Sequence, residues 1–413
     1  MADDLGWNDV SWNNPKMPTP NLEALLSKGS VLLNQSYVNQ LCSPTRSAFL
    51  TGYYPIHLGL QGDRVFNGME PGGVPLRFPF LPQLLRRLHY RTYMIGKWHL
   101  GYCNDSYIPT GRGFDYFYGL YNGKQNYYTH HYYYTFTKNL HVDGLDLWNM
   151  STPEFEQNGA YSTELFASQA VNVILRHSAT EIGRPFFLYL AFNAPHYPLQ
   201  VPEKYLPACA HYVNKKRRTY CGMVNALDSA VARVVEALRR TNLYENTVLI
   251  FNTDNGGETR FGGNNFPLRG NKHTLWEGGN RAVSFLHAPA FLHTPGVRRN
   301  QLFAIVDWLA TLVTIAGGKN MDVYGDGINQ WDMILFGSKG KRHSYLYNIY
   351  GKSAAYRQGR WKLIIGKPGK INGWIPEPAL DQITQIKPRN LSEENFSDDE
   401  TENTKGPWLF DLN

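Results

Sequence analysis

Short apolar segments alternate with longer amphipathic segments along most of the chain, and this alternation constrains the fold more than any other feature. The apolar segments have the length of buried strands, and the amphipathic segments repeat apolar residues at helical spacing. The strand-like segments are 91–99, 184–196, 246–257 and 281–289, and the helix-like segments are 19–29, 162–177, 224–240 and 306–317. Such alternation is typical of an α/β domain, so we predict a large, mostly parallel sheet flanked by helices.

The pattern changes after about Gly337, where short strand-like segments follow one another. The segments span residues 344–350, 353–358 and 360–366, and Gln358-Gly359 lies between the last two, as in a hairpin. A chain of 413 residues is also too long for one compact core. We therefore predict a large domain over residues 1–337 and a smaller antiparallel region over residues 338–413.

The composition limits the classes of partner. The chain has a formal net charge of +7 at pH 7 and 42% hydrophobic residues, which indicates a globular protein that favours anionic partners. The charge does not choose among nucleic acid, anionic lipid and a sulfated polymer. No run of eighteen apolar residues occurs, so we predict no membrane-spanning helix. Residues 387–406 are polar and acidic, which is typical of a loop.

The four cysteines and the glycosylation sequons bear on the compartment in which the chain folds. Four cysteines are too few for a disulfide framework, but Cys209 and Cys221 flank a polar loop, and a disulfide between them would indicate an oxidising compartment. Each Asn-x-Ser sequon alone is a weak signal, because so short a pattern also arises by chance. The sequons begin at Asn34, Asn104, Asn149, Asn390 and Asn395.

Polar side chains follow the predicted strands at the points where the strands end. They are Lys97 and His99, His196, and Asp254 with Asn255; Asp3 and Asp4 have the same character, although no strand precedes them in this sequence. Because ligands of an open α/β sheet collect outside the carboxyl ends of the strands, we expect these side chains to converge. Singly, each is more simply interpreted as a turn, a surface charge or a core histidine. Only the joint pattern favours a site.

Two kinds of ligand fit this set of side chains. Aspartate and asparagine oxygens without a Cys/His cluster suit a hard cation such as Ca²⁺ or Mg²⁺. Lysine, arginine and histidine beside a cation suit a multiply charged oxyanion, and phosphate and sulfate esters fit best. The sequence therefore predicts a cation site next to an oxyanion site.

The stretch “QLCSPTRSAFLTG”, residues 40–52, places a cysteine at the start of a predicted helix. Ser43 and Pro44 are typical of a helix start, and Gly52 of a helix end. A cysteine at that position would have a lowered pKa and would serve as a thiolate nucleophile. The simpler interpretation is a small buried residue. The acidic residues have no role in a thiol mechanism, so we rank that mechanism last.

Several segments together resemble one enzyme family. “LCSPTRSAFLTG” resembles the first signature of the sulfatase family, whose core is Cys-x-Pro-x-Arg, and “YMIGKWHLG” is similar to the second. “ADDLGW” and “TDNGG” resemble the two metal-binding segments of that family. “HYPLQVP”, “GGNNFPLRGNKHTLWEGG” and “PTGRGFD” are most similar to the arylsulfatase B group. The resemblance covers nearly the whole chain and implies an alkaline phosphatase-like α/β fold and hydrolysis of sulfuric esters.

The resemblance implies a modified nucleophile and a metal centre. Cys42 would be oxidised by the formylglycine-generating enzyme, and the hydrate of the resulting formylglycine would attack sulfur. Arg46 would orient that hydrate. One divalent cation, Ca²⁺ by family analogy, would be held by the metal-binding residues, which are Asp3, Asp4, Cys42, Asp254 and Asn255.

The resemblance also assigns the residues that contact the substrate. Lys97 and Lys272 would bind the sulfate. His196 would bind the substrate and serve the leaving group, and His99 would act as the base in the second step. With Cys42 and Arg46, these residues make up the predicted catalytic set.

The resemblance further implies that parts of the fold are missing from the sequence. In the family an apolar strand precedes the position of Ala2, and a signal peptide precedes that strand. We therefore expect Met1 to be internal to a longer precursor, the sheet to lack its first strand, and the smaller region to stop short after “WLFDLN”. Cys103 has no expected partner, because “FNGMEPGGVPL” lacks the cysteines that the arylsulfatase B group has nearby.

Arylsulfatase B-like proteins act on sulfated sugars, notably N-acetylgalactosamine 4-sulfate in glycosaminoglycans, and are lysosomal or secreted glycoproteins. We expect the same substrate class here and no nucleic acid partner, and the oligomeric state stays open. The basic run “NKKRR”, residues 214–218, is either a docking site for the polymer or a solvated loop. The aromatic run “YYTHHYYYTF”, residues 127–136, either lines a sugar-binding rim or packs internally.

Three other functions remain open at this point. The first is a metal-dependent phosphodiesterase or phosphonate hydrolase of the same superfamily, which a preference for phosphate over sulfate would reveal. The second is an inactive, truncated homologue that binds sulfated glycans. The third is the cysteine hydrolase that uses an unmodified Cys42 with a histidine.

Overall fold

A computed structural model describes residues 1–137, 140–293, 296–318, 325–369, 373–374 and 406–412. Nearly all of the loop predicted over residues 387–406 lies outside the described residues. The helices are α1 Pro20–Ser27, α2 Cys42–Thr51, α3 Leu81–Arg87, α4 Ser162–Thr180, α5 Lys215–Arg240, α6 Glu277–Asn280, α7 Asp307–Ile315 and α8 Trp331–Phe336. The strands are β1 Ser30–Leu33, β2 Ser36–Tyr37, β3 Arg91–Lys97, β4 Tyr116–Leu120, β5 His131–Thr137, β6 Leu140–Leu145, β7 Trp148–Asn149, β8 Thr152–Pro153, β9 Phe186–Ala191, β10 Leu249–Asn252, β11 Ser284–His287, β12 Val297–Arg299, β13 Phe303–Ala304, β14 Ser344–Tyr350, β15 Ser353–Gln358, β16 Trp361–Ile365 and β17 Trp408–Asp411.

Two sheets form the centre of the large region, and the first residues of the chain lie between them. One sheet has the strand order β8-β7-β4-β3-β9, and the other has the order β10-β11-β1-β12. The backbone of Met1 accepts a hydrogen bond from Phe192 N–H, just after β9, and Ala2 pairs in parallel with Thr253, just after β10. Residues 1–3 thereby connect the edges of the two sheets.

The pairing directions are more mixed than the prediction of a mostly parallel sheet. Strand β3 runs parallel to β4 and β9, and β12 runs parallel to β1, but β11 is antiparallel to both β1 and β10. The alternation of strand-like and helix-like segments predicts parallel pairing, but no helix-like segment lies between the strand-like segments 246–257 and 281–289. Between β10 and β11 the chain forms only a 3₁₀ turn and the short helix α6, so it returns in the opposite direction.

Helices cover both faces of these sheets, as the predicted α/β class requires. Successive strand residues point to opposite faces, so Met94 belongs to one apolar core and Ile95 to the other. Helices α2, α3 and α7 contribute to the core that contains Met94, whereas α1, α4 and α5 contribute to the core that contains Ile95. This double coverage explains why the strands read as continuous apolar runs.

The smaller C-terminal sheet is antiparallel in the order β14-β15-β16-β17, as predicted. Its inner residues Tyr345, Tyr347 and Ile364 are buried in the same core as helices α2 and α7. Two buried ion pairs join it to the large region, Arg342 with Asp307 and Lys362 with Glu277. The boundary after residue 337 stays a prediction.

The disulfide between Cys209 and Cys221 is confirmed, and it ties the loop before α5 to the second turn of that helix. Cys42 and Cys103 are free thiols in the described part of the chain, one buried and the other exposed. None of the described helices combines the length and apolar character needed to cross a membrane.

Candidate active site

Chain segments that lie far apart in the sequence meet at the carboxyl ends of β3, β9 and β10. Strand β3 ends at Lys97, β9 leads to His196, and β10 leads to Asp254 and Asn255. Asp3 and Asp4 follow the backbone segment that joins the two sheets. Helix α2 begins beside them at Cys42, so the predicted convergence at the strand ends is observed.

Helix α2 is buried along its whole length, which fixes Cys42 at its first position. Gly52 ends the helix with φ 73°, a left-handed conformation that glycine adopts without strain. Ser43 Oγ donates a hydrogen bond to the carbonyl of His99 at 2.8 Å and accepts one from the Phe66 N–H. The first turn of α2 is thereby tied to the segments that carry the other site residues.

Asp3 lies at the centre of the cluster and is fully buried. Lys97 Nζ donates to its Oδ2 at 2.6 Å, and Cys42 Sγ lies 3.7 Å from its Oδ1. The guanidinium of Arg46 lies 3.7 Å from the same carboxylate. The candidate nucleophile Cys42 and two positively charged side chains therefore all lie next to the carboxylate of Asp3.

Asp4 gathers a second group of partners. Lys272 Nζ lies 2.8 Å from its Oδ1, Asn255 Nδ2 donates to the same oxygen at 2.7 Å, and His196 Nε2 lies 3.6 Å from its Oδ2. Burial alone would raise the pKa of this carboxyl, but Lys272 and His196 hold the pKa well below its ordinary value. Asp4 has φ 62°, an unusual backbone conformation for a residue with a side chain. Such strain is typical of functional sites.

Asp254 is held by Arg46 and lies outside the tightest part of the cluster. Arg46 donates to Asp254 Oδ2 through Nε at 3.1 Å and through Nη2 at 2.8 Å, and it also donates to the carbonyl of Lys97. Burial and the neighbouring Asp3 raise the pKa of Asp254 to about 6. One arginine therefore braces an acidic group and the end of β3 at once.

The two histidines sit in similar electrostatic surroundings. His99 has φ 58°, and its Nε2 contacts the carbonyl of Phe66 at 2.8 Å. His196 Nδ1 contacts the carbonyl of Tyr197 at 2.6 Å, so its Nε2 faces Asp4. Burial is the main cause that lowers the pKa of both, helped by Lys97 at His99 and by Lys272 at His196.

The expectation of a lowered pKa at Cys42 is wrong. Burial raises the pKa of this thiol to about 12, and the two lysines nearby offset only part of that effect. The helix start is there, but the thiol is only 3% exposed and faces carboxylates. A neutral thiol is a weak nucleophile, so the geometry does not favour a thiolate hydrolase.

The cluster fits a divalent cation. One ligand atom from each of Asp3, Asp4, Cys42 and His196 lies within 4.8 Å of the others. Among the described residues, Asn255 Oδ1 is buried and has no hydrogen-bond partner. Carboxylate and amide oxygens are the ligands that hard cations prefer, and such an orphaned oxygen is what a cation would satisfy.

The structure therefore brings together every site residue that the sequence predicts. The set is Asp3, Asp4, Cys42, Arg46, Lys97, His99, His196, Asp254, Asn255 and Lys272, all of which are buried. Their assigned roles stay predictions. The group whose ligand atoms lie within 4.8 Å of one another includes His196, which the resemblance assigns to the substrate, and does not include Asp254.

Sequence reasoning missed the residues that hold this cluster in place. Tyr127 donates to the carbonyls of Asn193 and His196, and Tyr220 donates to the carbonyl of Asp4. Tyr127 lies in the aromatic run 127–136, for which internal packing is one of the two interpretations, and Tyr220 lies in α5 without an aromatic neighbour in the sequence. The long-range contacts that give them a role leave no local signal in the sequence.

The basic run 214–218 is not a solvated loop, and docking of the polymer by its exposed residues stays a prediction. Asn214 caps α5 by accepting from the Arg217 N–H, and the following residues form the first turn of the helix. The Arg217 side chain is fully buried and forms an ion pair with Asp9. The run is therefore neither a solvated loop nor a uniformly exposed patch.

The comparisons with known proteins agree with this geometry. The family model described as “Sulfatase” matches residues 1–318. The chain is 36% identical to arylsulfatase J of Mus musculus, with 100% of this chain and 70% of that protein covered. It is 29% identical to N-acetylgalactosamine-6-sulfatase of Homo sapiens, covering 84% of this chain and 67% of that protein.

Among solved structures, Ps i-CgsB in complex with k-i-k-neocarrahexaose matches with a TM-score of 0.78. The two chains are 32% identical, and the match covers 88% of this chain and 82% of the other. The placement within the arylsulfatase B group stays a prediction. The family model covers well over half of the chain, so the chain belongs to the sulfatase family and is a sulfatase.

Proposed function

We propose that this sulfatase hydrolyses sulfate esters of sulfated sugars at the buried cluster around Asp3 and Asp4. Cys42, converted to formylglycine, is the nucleophile, and a divalent cation is the cofactor. The observation that carries the proposal is the convergence of Cys42 with these two carboxylates, each in contact with its own lysine. That arrangement supplies a nucleophile, a cation site and sulfate-binding cations in one place.

Asp3, Asp4, Asp254, Asn255 and residue 42 would hold the cation, for which Ca²⁺ is the candidate. When bound, a divalent cation supplies Lewis-acid polarisation of the sulfate oxygens and neutralises charge in the transition state. The orphaned amide oxygen of Asn255 and the three acidic side chains support this assignment.

Residue 42 contributes chemistry that a thiol or a plain alcohol lacks. In its formylglycine form it supplies an aldehyde hydrate, whose hydroxyl attacks sulfur and whose re-formed aldehyde releases sulfate without a second attack at sulfur. The high pKa of the unmodified Cys42 thiol supports the need for this conversion. Arg46, braced by Asp254, orients the hydrate.

Lys97 and Lys272 bind the sulfate. Each ammonium has three N–H donors, and the contacts with Asp3 and Asp4 leave donors for sulfate oxygens. Both lysines are buried, so their charges act in a medium of low dielectric constant, where electrostatic stabilisation of a transition state is strong.

The two histidines move protons in this proposal. His196 serves the leaving group as the imidazolium, in which Nδ1–H donates to the carbonyl of Tyr197 and the proton on Nε2 faces the cluster and passes to the leaving alkoxide; Asp4 favours this charged form against the effect of burial. His99 acts as the base when sulfate is released, and its Nδ1 is buried without a partner in the described part of the chain. A positioned acid or base contributes roughly 10²- to 10⁴-fold to the rate.

The sugar and the position of its sulfate are the finer part of the proposal. The resemblance to the arylsulfatase B group points to N-acetylgalactosamine 4-sulfate in glycosaminoglycans. The name of the human relative points to the 6-sulfate of the same sugar. The 4-sulfate is the first candidate because “HYPLQVP”, “GGNNFPLRGNKHTLWEGG” and “PTGRGFD” carry the resemblance to the arylsulfatase B group.

The proposed maturation takes place in the secretory pathway, and the mature protein is lysosomal or secreted. The disulfide between Cys209 and Cys221 supports an oxidising compartment. Oxidation of Cys42 would require the formylglycine-generating enzyme as a transient partner. The sequon asparagines Asn104 and Asn149 are exposed, which suits glycosylation.

The experiment is to produce the chain in a secretory host, measure the mass of the tryptic peptide that contains residue 42, and assay ester hydrolysis. We expect the mass of the aldehyde form and faster release from 4-nitrophenyl sulfate than from 4-nitrophenyl phosphate or phenylphosphonate. An unmodified thiol in an active enzyme would remove the proposed nucleophile. A preference for phosphate or phosphonate would instead favour the related phosphohydrolase, and an inactive chain that still binds sulfated glycans would favour the non-catalytic homologue.

A further inference from the structure

A short row of aromatic rings runs from the active site toward the surface. The ring of His196 stacks on Tyr197 with centroids 4.7 Å apart, and Tyr197 stacks on Phe261 at 4.4 Å. His196 is buried, whereas Tyr197 and Phe261 are half-buried. The row therefore leads outward from a residue that lies 3.6 Å from Asp4.

Two lysines flank this row. Lys124 Nζ donates to the Tyr197 hydroxyl at 2.8 Å and lies 4.7 Å from the centre of that ring. Lys216 Nζ lies 5.8 Å from the Phe261 ring and 3.3 Å from the carbonyl of Arg260. We call Tyr197, Phe261, Lys124 and Lys216 together the aromatic ledge.

The ledge lysines differ from an ordinary lysine on a tyrosine ring. Lys204 lies 5.2 Å from the Tyr205 ring, but its charge is neutralised by Glu164 at 2.7 Å. Within the described ranges of the chain, neither Lys124 nor Lys216 forms an ion pair with a carboxylate. Two lysines without a carboxylate partner in that part of the chain thus lie beside the outer rings of this row.

Rings and unpaired ammonium groups suit different parts of one ligand. An aromatic face packs against the apolar face of a sugar ring, and an ammonium pairs with a sulfate or a carboxylate on the same sugar. A small aryl sulfate would end at the catalytic cluster and would not reach Phe261. An oligosaccharide would place its next sugar against Phe261, the last ring of the row, because Tyr197 already stacks with both His196 and Phe261.

We propose that the aromatic ledge binds the neighbouring sugar of an anionic oligosaccharide and selects it through a sulfate or carboxylate group. The inference rests on the proposed function, because the sulfate to be cleaved must lie at the cluster around Asp3 and Asp4. It makes the substrate class a polyanionic glycan rather than a singly sulfated small ester. Lys124 and Lys216 are specificity-determining residues in this account, and neither touches the reacting atoms.

The test compares the full chain with Lys124→Gln/Lys216→Gln and with Phe261→Ala. The matched control is Lys215→Gln, because Lys215 is exposed and lies one position before Lys216 on the same helix, pointing in another direction. The probes are a chondroitin 4-sulfate tetrasaccharide and 4-nitrophenyl sulfate. Binding of the tetrasaccharide is measured by calorimetry, and kcat and KM are measured for both probes.

We expect the double lysine variant to bind the tetrasaccharide about tenfold more weakly, which is the effect of losing two partly exposed ion pairs. KM for the tetrasaccharide should rise similarly, and kcat/KM for 4-nitrophenyl sulfate should change by less than about twofold. Added salt should reduce the difference between wild type and variant because exposed ion pairs are screened. Phe261→Ala should weaken binding without this salt dependence.

Equal tetrasaccharide binding by wild type and the double lysine variant would overturn the proposal, and so would an equal loss on both probes. If Lys215→Gln weakens tetrasaccharide binding as much as the double variant does, the effect would follow from net charge alone, and the proposal would be overturned too. If the wild type binds the tetrasaccharide more tightly than the double lysine variant but hydrolyses neither probe, the result would support sugar binding by the aromatic ledge and would refute the proposed hydrolysis. The two failures are therefore distinguishable.

Discussion

The active site can be compared with the joint between the large region and the small C-terminal sheet, which the Arg342–Asp307 and Lys362–Glu277 ion pairs form. Both contain buried ion pairs, but they differ in how their charged groups are paired. At the joint, the carboxylate of Asp307 accepts from Arg342 through both oxygens. It also accepts from the N–H groups of Ala304 and Ile328. Both oxygens of that carboxylate therefore have two partners each.

The active site leaves comparable atoms unpaired. Asn255 Oδ1 and His99 Nδ1 are buried without a partner among the described residues. Three acidic groups crowd together there, and Asp254 has a raised pKa of about 6 because of burial and Asp3. Buried polar groups are almost always satisfied, and exceptions call for an explanation. A buried hydroxyl without a partner among the described residues, that of Tyr345, also occurs in the small sheet, so the comparison teaches that the crowding of three carboxyl groups, rather than burial or incomplete pairing alone, distinguishes the catalytic cluster from the joint.

The largest expected effect is a loss of activity when the candidate nucleophile of the active site is changed. Cys42→Ser should lower kcat for 4-nitrophenyl sulfate by at least about 10⁴-fold, because a serine ester of sulfate has no second hydroxyl with which to release sulfate. The melting temperature should change little, since only one buried atom changes. Cys103→Ser, at the exposed thiol, is the control and should keep full activity. Normal turnover by Cys42→Ser would refute the proposed release step.

Removing one partner at the joint should give the largest loss of stability. Arg342→Met leaves the Asp307 carboxylate buried without its counter-charge and should lower the free energy of unfolding by about 3–5 kcal/mol. The activity per folded molecule should stay close to that of wild type. Arg360→Met is the control, because Arg360 pairs with Asp411 on the surface of the same small sheet and should cost less than about 1 kcal/mol. Denaturant unfolding followed by fluorescence measures both.

The residues of the active site could be predicted from the sequence, but the residues that pack behind them could not. Asp254 and Lys97 were predicted as site residues because they follow apolar strands, and Cys42 because a short motif surrounds it. The contacts of Tyr127 with His196 and of Arg217 with Asp9 were not predicted, because the partners are 69 and 208 positions apart. Local pattern marks strand ends but does not show which distant side chains pack behind them.

The same limit applies to the direction of one strand and to the pKa of Cys42. The direction of β11 depends on how the chain returns between residues 253 and 283, and apolar periodicity carries no information about direction. The pKa of Cys42 depends on burial and on the carboxylate of Asp3, neither of which is adjacent in sequence. The position at a helix start alone predicts a lowered pKa for Cys42, whereas burial raises it.

A change at a site lysine should affect activity more than stability. Lys272→Met should lower kcat for 4-nitrophenyl sulfate by about 10²- to 10³-fold, the usual cost of removing one group that stabilises transition-state charge. The carboxylate of Asp4 keeps Asn255 and His196 as partners, so the loss of stability should be smaller than in Arg342→Met. Lys341→Met, at an exposed lysine, is the control. A variant that melts as early as Arg342→Met would contradict the distinction between the two regions.

The smallest expected effect tests the second ion pair of the joint, and it depends on pH. Glu277 accepts from Lys362 at 2.8 Å and from the Tyr37 hydroxyl at 2.8 Å. Burial alone would raise the pKa of Glu277, but Lys362 lowers it below its ordinary value of 4.5. A depressed carboxyl pKa contributes stability above the pKa of the unfolded chain, and that contribution is lost as the pH falls through the folded pKa.

Glu277→Gln should therefore lower the free energy of unfolding by about 1–3 kcal/mol at pH 7, because Lys362 loses its counter-charge. The difference from wild type should persist down to about pH 4.5, the ordinary value for a glutamate, and shrink below it. Denaturant unfolding at a series of pH values measures this difference. Glu277→Gln/Lys362→Met serves as the matched variant, since it removes both charges and should recover part of the loss. A difference that grows on acidification would show that Glu277 is protonated in the folded protein and would contradict a stabilising ion pair at this joint.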